Sequence, residues 1–258
     1  MIEVLFVVAV IGAVLPLAGD ADRRGRLRLV AATLLAISFV GAAGPVAGML
    51  AVPWAAIAVI TGLGRLAPAA RRGLTRDGAS IGLDSAAAFL VVGAVAAMLS
   101  RLGIRPFDFG EPIVLLTAVH FHVAGFVLTT VAVRAGERSW AAGRVAVPLL
   151  LGGIPATAFG FLGADEIGLA GAWLVAAGGI LVGAAHLELA IHSDSGDRWL
   201  AAVAGLSLAV TMPLAIAWAM ASYAGVPFLP IGAMAATHGA LNVAGFAIPA
   251  SWFWRWAA

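Results

Sequence analysis

The chain has 258 residues, 62% of them hydrophobic and 11% charged, with 15 basic and 13 acidic side chains and no cysteine. Soluble domains carry roughly 45–50% apolar and ~25% charged residues, and one of this size cannot hide so much apolar surface. A soluble globule, a disordered chain, a collagen and a disulfide scaffold are all excluded, which leaves an all-α, polytopic transmembrane helical bundle.

A membrane helix needs about 20 mostly apolar residues. Nine segments meet that template: 2–18, 27–43, 45–64, 81–100, 112–133, 145–163, 168–191, 199–221 and 230–253. The first is read as a span and not a signal peptide, because Glu3 stands where a basic leader would be and the arginines follow the segment.

All 15 basic residues are arginine. With the N-terminus outside, the inner loops hold Arg23, Arg24, Arg26 and Arg28, then Arg65, Arg71, Arg72 and Arg76, then Arg134, Arg138 and Arg144, then Arg198, with Arg255 after the last span. Only Arg101 and Arg105 fall outside, so the alternation predicts an N-out, C-in topology. A net charge of +2 spread over short loops makes no basic patch, and no nucleic-acid partner is expected.

Thr117-Ala-Val-His-Phe-His-Val-Ala-Gly-Phe126 aligns with Thr237-His-Gly-Ala-Leu-Asn-Val-Ala-Gly-Phe246 at a shift of 120 residues. The same shift lays spans two to five over spans six to nine. The organisation this predicts is a single transmembrane domain over 1–258. It comprises an extra span at 1–20, repeat one at 24–136 and repeat two at 144–256, with parallel four-helix units. Coincidence between two glycine-containing packing helices is the competing explanation. Pro53, Pro155 and Pro213 fall inside spans, where each removes a backbone hydrogen bond and kinks the rod.

Buried polar residues carry the information in such a chain, since each is costly unless paired. His120 and His122 lie within the fifth span, and His238 and Asn242 within the ninth at similar depth. His238 and Asn242 are four apart and share a helix face. His120 and His122 are two apart, about 200° on a regular helix, so both cannot face one site without a distortion. No metal-binding spacing occurs, and neither metal nor cofactor is expected.

A second polar group, His186, Glu188, His192 and Asp194, ends the seventh span, with Glu188 and His192 spaced for a hydrogen bond or ion pair. Asp84 and Ser85 enter the fourth span at that level. The candidate catalytic residues are therefore His122, His238, Asn242, His120 and Glu188. Thr117, Thr237, Phe126, Phe246 and Trp218 are the candidate substrate contacts. Trp140, Trp199, Trp252, Trp254 and Trp256 cluster at span ends as an interfacial belt, while Trp54, Trp173 and Trp218 lie where they would line a cavity or pack.

The two aligned segments resemble the YndJ-like family of bacterial integral membrane proteins, and the likeness extends over most of the chain in length and helix layout. The resemblance implies a multi-span protein of the bacterial cell membrane whose distinctive residues are His120, His122, His238 and Asn242. It implies no particular reaction.

Three functions fit these residues. The first is a membrane enzyme performing acid–base isomerisation, cyclisation or epoxide opening on a lipophilic, isoprenoid or polyketide-like substrate, with imidazole as the proton carrier. The second is a transporter of a small or lipophilic molecule, suggested by the repeat and the kinks. The third is a haem or metal-binding membrane protein with imidazole ligands. Membrane lipids and a lipophilic small molecule are the expected partners.

Overall fold

A computed structural model describes residues 1–17, 23–72, 77–138 and 141–256; Arg76 and Trp140 lie outside the described residues. Those residues form helices, with no strand among them. Nine long rods follow one another: α1 Ile2–Leu17, α2 Arg23–Ser38, α3 Pro45–Arg72, α4 Gly78–Leu102, α5 Ile113–Glu137, α6 Ala141–Gly160, α7 Asp165–His192, α8 Arg198–Tyr223 and α9 Ile231–Arg255.

Seven of them, α3 to α9, are long and apolar enough to cross a membrane. The two 16-residue rods α1 and α2 reach only about 24 Å each at 1.5 Å per residue, against a hydrocarbon core of roughly 30 Å. α2 stops at Ser38, before the expected 43, because Gly41 and Gly44 break the pattern and Pro45 opens the next helix. α3 runs on past the expected 64 to Arg72, since Leu66, Ala67, Ala69 and Ala70 sustain a helix although Arg65 ends the apolar run.

The chain divides into two compact units, Met1–Val127 and Leu128–Ala258, with the division inside α5. In the first unit α2 packs on α3, α3 on α4, and α1 and α4 on the first half of α5. In the second, α7 packs between α6 and α8, α9 lies on α8, and the end of α5 meets α6, α7 and α9. Glycine sets the closest crossings. A β-carbon on Gly160 of α6 would stand 2.6 Å from the Cα of Gly168 in α7, so only a hydrogen lets these backbones meet.

Three rods are not regular α-helices throughout. α1 widens to π-type turns over Val10–Val14, α5 over Phe121–Leu128, and α9 over Ala235–Gly239 and Leu241–Ala247. In α1 and α9 a proline sits just beyond, Pro16 and Pro249, each with a glycine four residues before it, Gly12 and Gly245. A proline crowds the carbonyl four residues back, and a wider turn relieves that crowding. In α5 no proline follows; the wide turn instead holds Gly125 against Phe89 of α4, where a β-carbon would come within 2.7 Å.

Candidate functional site

Both aligned segments run into these widened turns, the first from Phe121 onward. Thr117 and Thr237 make the same local bond, each hydroxyl donating to the carbonyl four residues earlier, Ile113 at 3.0 Å and Ala233 at 2.8 Å. Beyond that shared feature the polar residues have different surroundings, and each set is closed by partners from its own unit.

In the first unit His122 is fully enclosed. Trp54 on α3 donates its indole N–H to His122 Nε2 at 3.0 Å, and His122 Nδ1 lies 2.7 Å from the carbonyl of Ala118. Because Nε2 accepts from the indole, Nδ1 carries the hydrogen and donates to that carbonyl. The imidazole is therefore neutral with both nitrogens satisfied. Gly93 of α4 makes room for it, since a β-carbon there would stand 2.6 Å from Nδ1. His120 is half-buried, its ring edge-on to Phe121 at 6.1 Å.

The second unit repeats this chemistry at a histidine of the second polar group, outside the aligned segments. His186 on α7 is fully enclosed, receives the Trp254 indole N–H on Nε2 at 3.1 Å, and sets Nδ1 against the carbonyl of Val182 at 2.8 Å. Neither ring bond goes to Glu188 or His192, with which the sequence groups it. Those two are exposed, and the His192 ring bonds the Glu188 backbone carbonyl at 2.9 Å. The expected i, i+4 contact thus exists but bypasses the carboxylate. Trp254, expected in the interfacial belt, is a buried donor.

His238 and Asn242 of α9 meet Thr211 of α8. The Thr211 hydroxyl donates to Asn242 Oδ1 at 3.1 Å, Asn242 Nδ2 lies 3.0 Å from His238 Nε2 and 2.9 Å from the His238 carbonyl, and His238 Nδ1 lies 3.0 Å from the Thr211 carbonyl. Read as a network, Asn242 donates to Nε2 and Nδ1 donates to the carbonyl. Thr211 is fully buried and Asn242 nearly so, whereas His238 is half-buried. Thr211 was not anticipated; a threonine one residue from a helix-interior Met-Pro step gives no signal without its partner.

Among the other candidates, Phe246 is buried against His186 with ring centroids 6.4 Å apart, and Phe126 is half-buried. Thr237 is exposed, and the Trp218 indole donates to the Leu229 carbonyl at 2.8 Å.

A further polar centre sits at one end of the first unit. A cavity of about 420 Å³ is lined by Glu3, Ser100, Arg101, Arg105 and Glu111 together with apolar residues that include Leu115. Arg101 is only 4% exposed. Its Nη2 donates to the Gly41 carbonyl at 2.6 Å, and its Cζ lies 4.6 Å from the centre of the Phe39 ring. Phe39 touches Phe6, and Phe6 stands edge-on to His122 at 5.0 Å, so an aromatic stack joins this cavity to the buried imidazole. The sequence held a signal here: Arg101 and Arg105 are the two arginines that break the loop alternation. Among the described residues, no group of three or more His, Cys, Asp or Glu is arranged to hold a metal ion.

Seven apolar rods with polar groups turned onto one another define a polytopic helical membrane protein. The chain belongs to the YndJ-like family, whose model, described as YndJ-like protein, matches residues 3–246. Among curated proteins and among solved structures nothing matches it.

Proposed function

We propose that the chain is an intramembrane acid–base enzyme acting on a lipophilic substrate, isoprenoid or polyketide-like, with His238 as the group that moves the proton. The observation that carries this reading is the Thr211–Asn242–His238 network on a widened turn of α9, in which His238 is half-buried where His122 and His186 are enclosed. The Asn242 amide is fixed by its second bond to the His238 carbonyl, so a proton arriving on Nε2 displaces the Asn242 bond while Nδ1 keeps its bond to the Thr211 carbonyl. A ring anchored at Nδ1 that exchanges at Nε2 is what a proton carrier needs. His122 and His186, enclosed and satisfied at both nitrogens, are assigned to support of the fold.

In this proposal the chain crosses the cell membrane of a bacterium nine times with the N-terminus outside, α1 and α2 included. The arginine alternation supports the topology, and the matching threonine bonds support descent of α5 and α9 from one repeated unit.

Lipid extracts from membranes containing equal amounts of wild-type and His238→Ala protein, compared by mass spectrometry, test the function. A lipophilic product that depends on the wild type should fall by roughly 10²–10⁴-fold in the variant, the usual effect of losing one general acid or base. Asn242→Ala should act more mildly, because an amide does not titrate. A folded His238→Ala protein that leaves every extracted species unchanged overturns the reading.

A further inference from the structure

We infer that the cavity beside Arg101 binds the phosphate of an anionic amphiphile, with the apolar chain leaving along Leu115. The lining combines charge with apolar wall, as a headgroup site at a helix end requires. Arg101 supplies the unspent donors. Its Nη2 is committed to the Gly41 carbonyl, but its buried Nε has no hydrogen-bond partner among the described residues. Its Nη1 has only the Glu3 carboxylate at 3.8 Å, beyond hydrogen-bond reach.

A guanidinium almost wholly out of water with an unpartnered Nε is an arrangement that a phosphate oxygen completes, since its planar donor fork matches that anion. The two acids do not close the site against it. Glu111 is held by Arg105 at 3.2 Å and by the Ser100 hydroxyl at 3.0 Å. Glu3 is half-exposed and holds its place loosely, so an arriving phosphate takes that place. This site belongs to the first unit and does not rest on the His238 reading.

The test is thermal unfolding of the detergent-solubilised full chain with short-chain phosphatidylglycerol, short-chain phosphatidylcholine or inorganic phosphate. A ligand that binds only the folded state raises the midpoint by mass action. Phosphatidylglycerol should stabilise the wild type most. Arg101→Gln, and Ala43→Trp at another residue of the cavity wall, should each weaken that response about tenfold or more, the scale of one charge-assisted contact. Glu3→Gln should strengthen it several-fold by removing the competitor.

The inference fails if phosphatidylcholine or inorganic phosphate acts as strongly as phosphatidylglycerol. It fails equally if Arg101→Gln lowers the unliganded midpoint yet keeps the full lipid response, which is the mark of a purely structural arginine. Should Arg101→Gln not fold, Ala43→Trp and Glu3→Gln carry the test: an unchanged lipid response in both overturns it.

Discussion

The indole of Trp54 donates to the imidazole of His122 across 68 residues of chain, and the indole of Trp254 donates to His186 across the same interval. In both pairs the acceptor is Nε2 and the Nδ1 hydrogen goes to the carbonyl four residues earlier on the same helix. Each unit so encloses one neutral imidazole whose two nitrogens are used up.

Removing one partner of such a bond costs more than removing both. Trp54→Phe leaves Nε2 of His122 buried and unsatisfied, and should destabilise the protein by about 1–3 kcal/mol. Trp54→Phe with His122→Leu removes the polar group along with its partner and should recover part of the loss. The same comparison applies to Trp254→Phe and His186→Leu. Thermal unfolding of the four proteins checks it, and a double variant much worse than the single one contradicts the argument.

Gly93→Ala should disturb His122 without touching it chemically. The new methyl would stand 2.6 Å from Nδ1, so the ring or the α4 backbone must move, at a cost of about 1–3 kcal/mol. A midpoint equal to wild type would mean that the imidazole has room to spare.

Gly245→Ala tests the contact between α9 and α8. Its methyl would fall on the Ser207 hydroxyl, so destabilisation is expected, and Ser207→Gly in the same chain should relieve most of it. If the two changes simply add, the helices do not meet there.

The start of α4 should respond to acid. The Asp77 carboxylate accepts the Ser80 backbone N–H at 2.6 Å and the Ser80 hydroxyl at 3.2 Å. The Ser80 backbone bond, followed by the Ser80 hydroxyl, holds its pKa below the usual carboxylate value. A depressed folded-state pKa gives stability that is complete above the unfolded value and is lost as pH falls through the folded one. Amide exchange in the first turn of α4 should therefore show protection falling at acid pH, once intrinsic rates are removed. Asp77→Asn should abolish that pH dependence while keeping much of the cap.

Much of the helix layout was legible because apolar runs near 20 residues have few other uses. The ends were less so: Arg65 halts a hydropathy count but not a helix, and α3 continues to Arg72. The widened turns were hidden because backbone width leaves no periodic mark, although Pro16 and Pro249 with glycines four residues before them hint at two of the three. His238 and Asn242 could be paired from their spacing alone, a local property of one helix. Trp54 and His122, or Trp254 and His186, could not, since nothing in a sequence of indoles and imidazoles says which will meet. Charge told more: Arg101 and Arg105 broke the alternation, and they line the cavity.

The order of residues within the two indole–imidazole pairs has a bearing on synthesis. In the first unit the donor Trp54 precedes His122, and in the second His186 precedes Trp254. An indole waiting at the edge of hydrocarbon is a familiar lodger there, with its ring in the headgroup zone. A waiting imidazole is not, since it must keep water or some temporary partner at hand until its donor arrives. A ribosome making this chain thus completes the first buried pair at residue 122, with the guest most tolerant of lipid leading. For the second, α7 emerges with its imidazole unserved until residue 254 has been made. Stalling or truncation ahead of Trp254 should expose α7 to quality control while the first pair is already closed.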